Sequence, residues 1–176
     1  IYDRDYSSVS ICSGEEYDWD AIFADAQWLH ISGITLAISE TAAHAAILAA
    51  GKAQAAGVKV SCDLNFRKNL WRWRSGSDAR SLARSVMPDF LEHVNVIIGN
   101  EEDAADVLDI HAADTDVHSG SLEIANYPDV ARQIAQRFNN VDQVAITLRE
   151  SISATHNNWG AMLFNVSSDT AVSVSY

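Results

Sequence analysis

A repeated succession of short apolar strand, helix and strand constrains the fold of this chain more than any other feature. Residues 28–33 have the pattern of a buried strand, and after a loop an alanine-rich helix capped by Ser39 is predicted from about residue 40 to residue 56. Gly57 ends this helix, and residues 58–62 form the next predicted strand. Such a unit builds parallel sheets, because the helix returns the chain to the end of the sheet where the first strand began.

The same succession continues along the rest of the chain. Apolar residues at helical spacing predict a helix that runs to about His93 and that Pro88 kinks or divides. The remaining predicted elements are a strand at 94–99, a short helix opened by acidic residues, a polar loop at 112–121, a helix at 127–138, a strand at 143–148 and a hairpin of strands at 161–166 and 171–175. We therefore expect a single α/β domain with a mainly parallel sheet and a C-terminal antiparallel hairpin.

Composition and charge narrow the class of protein. The 176 residues are 48% hydrophobic and 20% charged, which is ordinary for a globular domain. A net charge of −12 disfavours nucleic acid, because binding to it needs basic surfaces. No apolar run approaches the ~20 residues that span a bilayer, and no secretory signal pattern opens the chain, so the cytoplasm is the expected compartment. The isolated Cys12 and Cys62 are expected to be reduced thiols.

Three polar residues follow the strand that ends near residue 62. Asp63, Asn65 and Arg67 alternate, so they would project to one side of an extended segment. In open parallel sheets ligands bind outside the carboxyl ends of the strands, and the planar fork of an arginine can clasp a carboxylate or a phosphate. Two interpretations stay open. The triplet forms a substrate site, or it is a structural brace in which Asp63 caps a turn and pairs with Arg67.

Neither the histidines nor the tryptophans indicate a metal centre or a nucleic-acid platform. His30 lies in the first predicted strand, where we expect a core residue. His111, His118 and His156 have no partner at the i, i+4 spacing that a helical metal site uses. Trp71 and Trp73 are expected to pack beneath a loop, and not to form a stacking platform for bases, given the negative charge of the chain.

Five short motifs carry a resemblance to a known family. They are Tyr2-Asp3-Arg4, His30-Ile31-Ser32-Gly33, Asp63-Leu64-Asn65-Phe66-Arg67-Lys68-Asn69-Leu70-Trp71, Gly99-Asn100-Glu101-Glu102-Asp103 and Thr147-Leu148-Arg149-Glu150-Ser151. In this order and spacing they resemble the central part of the PfkB, or ribokinase-like, carbohydrate kinases, and within them the 2-keto-3-deoxygluconate kinases. The resemblance implies that residues 1–176 are the central segment of a single three-layer α/β/α kinase domain. That segment is incomplete at both ends, without the start of the lid and without the family's G-A-G-D element.

The resemblance implies a site for a sugar acid. The family's Y-x-R and D-x-N-x-R elements assign substrate binding to Tyr2, Arg4, Asn65 and Arg67. A 2-keto-3-deoxy sugar acid carries a carboxylate beside a carbonyl, which guanidinium groups and a phenol can hold in place. We therefore expect Arg4 and Arg67, far apart along the chain, to meet at the rim of the sheet and to grip one small anion.

A further motif implies a role in holding ATP and Mg²⁺. The family's N-x-x-E element falls on Asn100 and Asp103, with aspartate in place of glutamate. It assigns both residues to the cofactor, with an indirect contribution of Asp103 to the magnesium site, in which Glu101 or Glu102 could take part instead. The competing structural interpretation is a helix cap followed by acidic residues on the first helical turn.

The last motif implies contacts to the nucleotide phosphates. Thr147, Arg149 and Ser151 are assigned to cofactor binding, although Arg149 stands where the family has a glycine. Two interpretations of Arg149 stay open. It supplies a phosphate-binding guanidinium, or it forms a salt bridge with Glu150 or another surface acid.

The implied activity is transfer of the γ-phosphoryl group of ATP to the 6-hydroxyl of 2-keto-3-deoxygluconate, by an intact protein that is a possible homodimer. The family's catalytic aspartate belongs to the G-A-G-D element, which is expected beyond Tyr176, so the segment is predicted to contain no catalytic residue and to be inactive alone. Two alternatives remain. The chain is a non-catalytic domain that binds sugar acids or nucleotides, or it belongs to a fructokinase- or ribokinase-type kinase of another sugar.

Overall fold

The computed structural model describes residues 6–111, 127–153 and 156–175. In chain order, the described elements are α1 (Ser8–Ile11), α2 (Trp19–Phe23), β1 (Trp28–Ser32), α3 (Gly33–Ile38), α4 (Glu40–Ala55), β2 (Lys59–Asp63), α5 (Ala79–Leu91), β3 (Val96–Gly99), α6 (Glu101–Leu108), α7 (Tyr127–Arg137), β4 (Gln143–Ser153), β5 (His156–Asn165) and β6 (Thr170–Ser175). The predicted loop at 112–121 lies outside the described residues. None of the described helices has the length and apolar character needed to cross a membrane.

The six described strands form one mixed sheet in the order β1-β2-β3-β4-β5-β6. Strands β1 to β4 run parallel, and β5 and β6 add antiparallel strands beside β4. The predicted mainly parallel sheet with a C-terminal antiparallel hairpin is therefore confirmed. Both β4 and β5 are longer than predicted, because they pair with each other from Gln143 and Asn165 to Ser153 and His156.

The crossover helices lie on one face of the sheet. The four parallel strands are neighbours in chain order, and parallel crossovers are right-handed, so each connection places its helices on the same side. Burial agrees with this, since Val60, Ile97 and Val144 share one core cluster with buried residues of α4, α5, α6 and α7. The α/β class is confirmed, and the described residues show two of the three predicted layers, the sheet and one layer of helices.

The opposite face of the sheet is largely exposed. Leu163 and Val172 on this face are 42% and 67% exposed, and Trp28 on the edge strand β1 is 56% exposed. His30 is two positions after Trp28 on β1, so its side chain points to the same face, and it is exposed. Its Nδ1 lies 2.8 Å from the hydroxyl of Ser61. The prediction that His30 is a core residue is therefore wrong, because alternate residues of β1 face away from the helices.

Local hydrogen bonds explain where the helices around β1 begin. The hydroxyl of Ser39 accepts from Ala42 N–H at 3.0 Å, which confirms the predicted cap of α4. Gly57, with a φ of +75°, follows the end of α4 as predicted. The loop predicted between β1 and α4 is wrong, because the hydroxyl of Ser32 accepts from Ile34 N–H at 3.3 Å and starts α3 there.

Helix α5 continues through Pro88 as one element. A proline inside a helix removes one backbone hydrogen bond and crowds the preceding turn. Four neighbours, Val86, Met87, Phe90 and Leu91, are buried in the core, and this packing offsets the loss. The predicted division of the helix at Pro88 therefore does not occur.

Candidate active site

The carboxyl ends of β1, β2 and β3 meet at one edge of the sheet. Ser32 pairs with Asp63, and Asp63 pairs with Ile98, so the three strands end at nearly the same level. Asn100 follows β3 directly and caps α6. The polar residues after β2 therefore lie at the edge where open parallel sheets bind their ligands.

The segment after β2 turns instead of staying extended. Leu64 N–H still donates to Ile98 O at 2.8 Å, but Asn65 has a φ of +41°. The prediction that residues 63–67 stay extended, with alternate side chains on one side, is therefore wrong. Asn65 Nδ2 donates to the hydroxyl of Ser32 at 3.2 Å, which ties the segment to the end of β1.

Gly33 allows this segment to pass close to the start of α3. A Cβ atom placed on Gly33 would lie 2.1 Å from the carbonyl oxygen of Leu64, a distance that no real contact tolerates. Only a residue without a side chain fits at this position. Sequence reasoning missed this contact, and its one signal was the glycine that closes the motif at residues 30–33.

Asp103, on the first turn of α6, contacts the segment after β2. Its Oδ1 accepts from Phe66 N–H at 2.9 Å, and its Oδ2 accepts from Asn100 N–H at 3.3 Å. Asn100 Oδ1 accepts in turn from Asp103 N–H at 2.7 Å. The helix-cap interpretation of these two residues is thus observed as a reciprocal capping box, and Asp103 is only 8% exposed within it.

Burial and two neighbouring charges, those of Asp63 and Arg67, affect the pKa of Asp103. Burial raises the pKa of Asp103 above its ordinary value, and the negative charge of Asp63 acts in the same direction. Hydrogen bonds from Phe66 and Asn100 N–H, and the positive charge of Arg67, act in the opposite direction. The charges of Asp63 and Arg67 therefore act on the Asp103 carboxyl in opposite directions.

The surroundings of Asp103 in the described part of the chain do not suit it to bind Mg²⁺ directly. Both oxygens of its carboxylate are buried acceptors of backbone N–H groups, whereas Mg²⁺ keeps several water molecules around it in most protein sites. Among the described residues, no group of three or more His, Cys, Asp or Glu side chains could hold a metal ion. An indirect contribution of Asp103 to magnesium binding stays a prediction.

Arg67 is exposed at the same edge. Its Nη1 donates to Phe66 O at 3.2 Å. Within the described part of the chain Arg67 has no ion pair, so the structural brace between Asp63 and Arg67 is not formed. The remaining donors of the guanidinium are available to an anion. Its predicted partners Tyr2 and Arg4 lie outside the described residues.

The residues predicted to contact phosphates lie on β4 near the start of α6. Thr147 is exposed, and its hydroxyl donates to the carbonyl oxygen of Gly99 at 3.4 Å. This contact places Thr147 beside Asn100. Arg149 and Ser151 follow on β4, where their backbones pair with β5, but their side chains lie outside the described residues.

A separate cavity of about 230 Å³ lies between the N-terminal helices, β1 and α4. Small apolar residues of α4, among them Ala42, Ala46 and Ala49, form much of its wall, and Ser32 connects it to the edge described above. Among the described residues, no lysine, arginine or acid lines this cavity. The edge that carries Arg67 is therefore the stronger candidate for an anionic ligand.

Comparison with solved structures defines the fold class. A PfkB family carbohydrate kinase from Listeria grayi has a TM-score of 0.76 and 22% identity, over 100% of this chain and 48% of that chain. No family model matches the sequence. The chain has the ribokinase-like α/β fold of the PfkB carbohydrate kinases, which confirms the fold class that the motifs predicted.

Within that class, the sequence is similar to kinases of 2-keto-3-deoxy sugar acids. A 2-dehydro-3-deoxygluconokinase from Thermotoga maritima has a TM-score of 0.83 and 36% identity, over 100% of this chain and 49% of that chain. A 2-dehydro-3-deoxygalactonokinase from Haloferax volcanii is 34% identical over 137 residues, which cover 78% of this chain and 40% of the relative. The chain thus spans less than half the length of these two relatives.

Proposed function

We propose that this chain forms part of an ATP-dependent kinase that phosphorylates a 2-keto-3-deoxy sugar acid on its 6-hydroxyl. The observation that carries the proposal is the exposed guanidinium of Arg67, which lies at the carboxyl edge of a parallel sheet and has no acid partner among the described residues. A fork of this kind suits the carboxylate of a sugar acid. Two relatives above 30% identity with names of such kinases support the same substrate class.

The proposed substrate contacts extend the role of Arg67. Tyr2 and Arg4 would complete the grip on the carboxylate and the neighbouring carbonyl. Asn65 donates its amide to Ser32, so its side-chain oxygen stays available to a substrate hydroxyl. In this arrangement the arginines determine substrate choice by position and charge, and they do not take part in breaking bonds.

The proposed nucleotide contacts lie on the other side of the same edge. Asn100, Thr147, Arg149 and Ser151 would face the phosphates of ATP, which supplies the transferred phosphoryl group as its magnesium complex. Kinases of this type also need a base that accepts the proton of the attacking hydroxyl. The sequence contains no G-A-G-D element to supply that aspartate, so we expect negligible turnover from these 176 residues alone.

A binding titration tests the substrate proposal without requiring catalysis. We expect the intact chain to bind 2-keto-3-deoxygluconate or its galactonate epimer, and Arg67→Ala to raise the Kd by about tenfold to a hundredfold, since a hydrogen bond to a charged group is lost. Arg67→Lys should restore part of the affinity, because it keeps the charge but not the planar fork. Arg72→Ala is the matched control, an exposed arginine in the same loop. Equal binding by wild type and Arg67→Ala would contradict the proposal.

A second candidate function is a non-catalytic domain that binds the sugar acid, because the exposed guanidinium of Arg67 would serve binding without catalysis as well. A coupled assay with sugar acid and ATP separates it from a kinase. Turnover of about 1 to 100 per second, the usual range for kinases, would show that these residues hold a complete active site. Binding without turnover, in the full-length protein as well as in this chain, would favour the non-catalytic domain.

A further inference from the structure

The carboxylate of Asp103 links the two sides of the candidate site. One oxygen holds Phe66 N–H, immediately before Arg67, and the other holds Asn100 N–H at the start of α6. Phe66 and Asp103 are 37 positions apart, so their bond is a tertiary contact and no part of a local turn. Because Asp103 is buried, water competes weakly for either oxygen.

The backbone around Arg67 has attachments on both sides of this bond. Leu64 N–H is held by β3, and Leu70 N–H donates to Arg67 O at 2.8 Å. Between them, the left-handed conformation of Asn65 ends the extended run before Phe66. Phe66 directly precedes Arg67, and the hydrogen bond from Phe66 N–H to Asp103 fixes the backbone at this point to helix α6.

We propose that Asp103 is a positioning residue, which fixes the backbone of residues 64–67 against α6 and thereby holds the Arg67 guanidinium where the carboxylate of a sugar acid binds. Only the identity of the ligand in this inference rests on the proposed function. It assigns the two oxygens of Asp103 to backbone groups on the two sides of the site, in place of a bound metal ion.

Positioning and simple electrostatics predict opposite effects of removing this side chain. Loss of a negative charge near Arg67 would by itself strengthen the binding of an anion. Loss of the bond to Phe66 instead frees the segment, and the ligand must then order it again at an entropic cost. Weaker binding after removal of Asp103 therefore distinguishes the positioning role.

The first measurement is amide hydrogen exchange by NMR, in the whole chain and without magnesium. We expect Asp103→Ala to speed exchange at Phe66 by about tenfold or more, since a charged hydrogen-bond acceptor is lost. Asp103→Asn keeps one acceptor oxygen, so its effect should be smaller, and it also serves if the alanine variant does not fold. Leu64, whose N–H is bonded to β3, is the internal reference. Asp89→Asn, the same change at an exposed helical position, is the control.

The second measurement is the Kd of 2-keto-3-deoxygluconate for the same variants. We expect the Kd to rise about tenfold in Asp103→Ala and by less in Asp103→Asn. The double variant Asp103→Ala with Arg67→Ala should bind no more weakly than Arg67→Ala alone. Unchanged exchange at Phe66, or tighter sugar-acid binding, overturns the positioning role. An effect that appears only with Mg²⁺ present overturns it in favour of a metal ligand. If the wild type binds no sugar acid, but amide exchange at Phe66 still becomes faster in Asp103→Ala, the proposed function is wrong and the positioning of the backbone by Asp103 is confirmed.

Discussion

The two cysteines differ in burial, and this difference controls their chemistry. Cys62 on β2 is fully buried, and burial, with the negative charge of Asp63, raises the pKa of its thiol well above the ordinary value. Cys12 is only half-buried and donates its thiol hydrogen to Glu16 at 3.3 Å. A thiolate is the reactive form of cysteine, so the two thiols should react at very different rates.

We expect a disulfide-exchange reagent at about pH 8 to modify one thiol of the native chain and both thiols after denaturation. Cys12→Ser should remove the fast reaction. The folded state keeps Cys62 protonated, whereas the unfolded chain loses this proton near pH 9.0, the ordinary pKa of a thiol. The free energy of unfolding should therefore fall as the pH rises above 9.0. Cys62→Ala should reduce that dependence, and two equally fast thiols in the native chain would contradict the assigned burial.

Two glycines offer a matched test of the close approach at the candidate site. Gly33→Ala places a methyl group against the carbonyl of Leu64, and we expect a loss of about 1–3 kcal/mol in the free energy of unfolding. Gly51→Ala in α4 meets only ordinary contacts with His93, at 3.7 Å and beyond, and should gain about 0.5–1 kcal/mol. Denaturant titrations measure both values. A neutral Gly33→Ala would show that residues 64–67 do not pass where the structure places them.

At the scale of elements, strand β5 shows that the two faces of the sheet differ in burial. Phe164 faces the helices and is 2% exposed, whereas its neighbour Leu163 points to the other face and is 42% exposed. We expect Phe164→Ala to cost about 3–5 kcal/mol and Leu163→Ala less than about 1 kcal/mol. Thermal or chemical denaturation decides between the two. Comparable losses would mean that the second face is also covered.

Sequence periodicity predicted the elements whose signals are local. The Ser39 cap, the helix that precedes Gly57, and the strand before Asn100 were predicted within a few residues of their bounds. Periodicity failed where tertiary contacts decide. Helix α3 begins at a serine cap directly after a strand, and Pro88 is tolerated because its neighbours are buried. The contact between Phe66 and Asp103 crosses 37 positions, and no local pattern indicates it.

At the scale of the whole molecule, the topology determines which residues can cooperate. Parallel strands in chain order bring the ends of β1, β2 and β3 to one edge, so Arg67, Asn100 and Thr147 lie along it although 80 positions separate the first from the last. The motifs predicted this grouping through the family resemblance, and the sheet explains it physically. The side chains of Arg149 and Ser151, and all of Tyr2 and Arg4, lie outside the described residues, so their roles stay predictions.

The most direct test of the account is a crystal structure of the chain with 2-keto-3-deoxygluconate bound. We predict that the carboxylate of the ligand lies at the edge after β2, with paired hydrogen bonds of about 2.7–2.9 Å from Arg67 and with Arg4 on the same anion. A ligand seated in the cavity beside α4, or Arg4 and Arg67 on separate surfaces, would contradict the account.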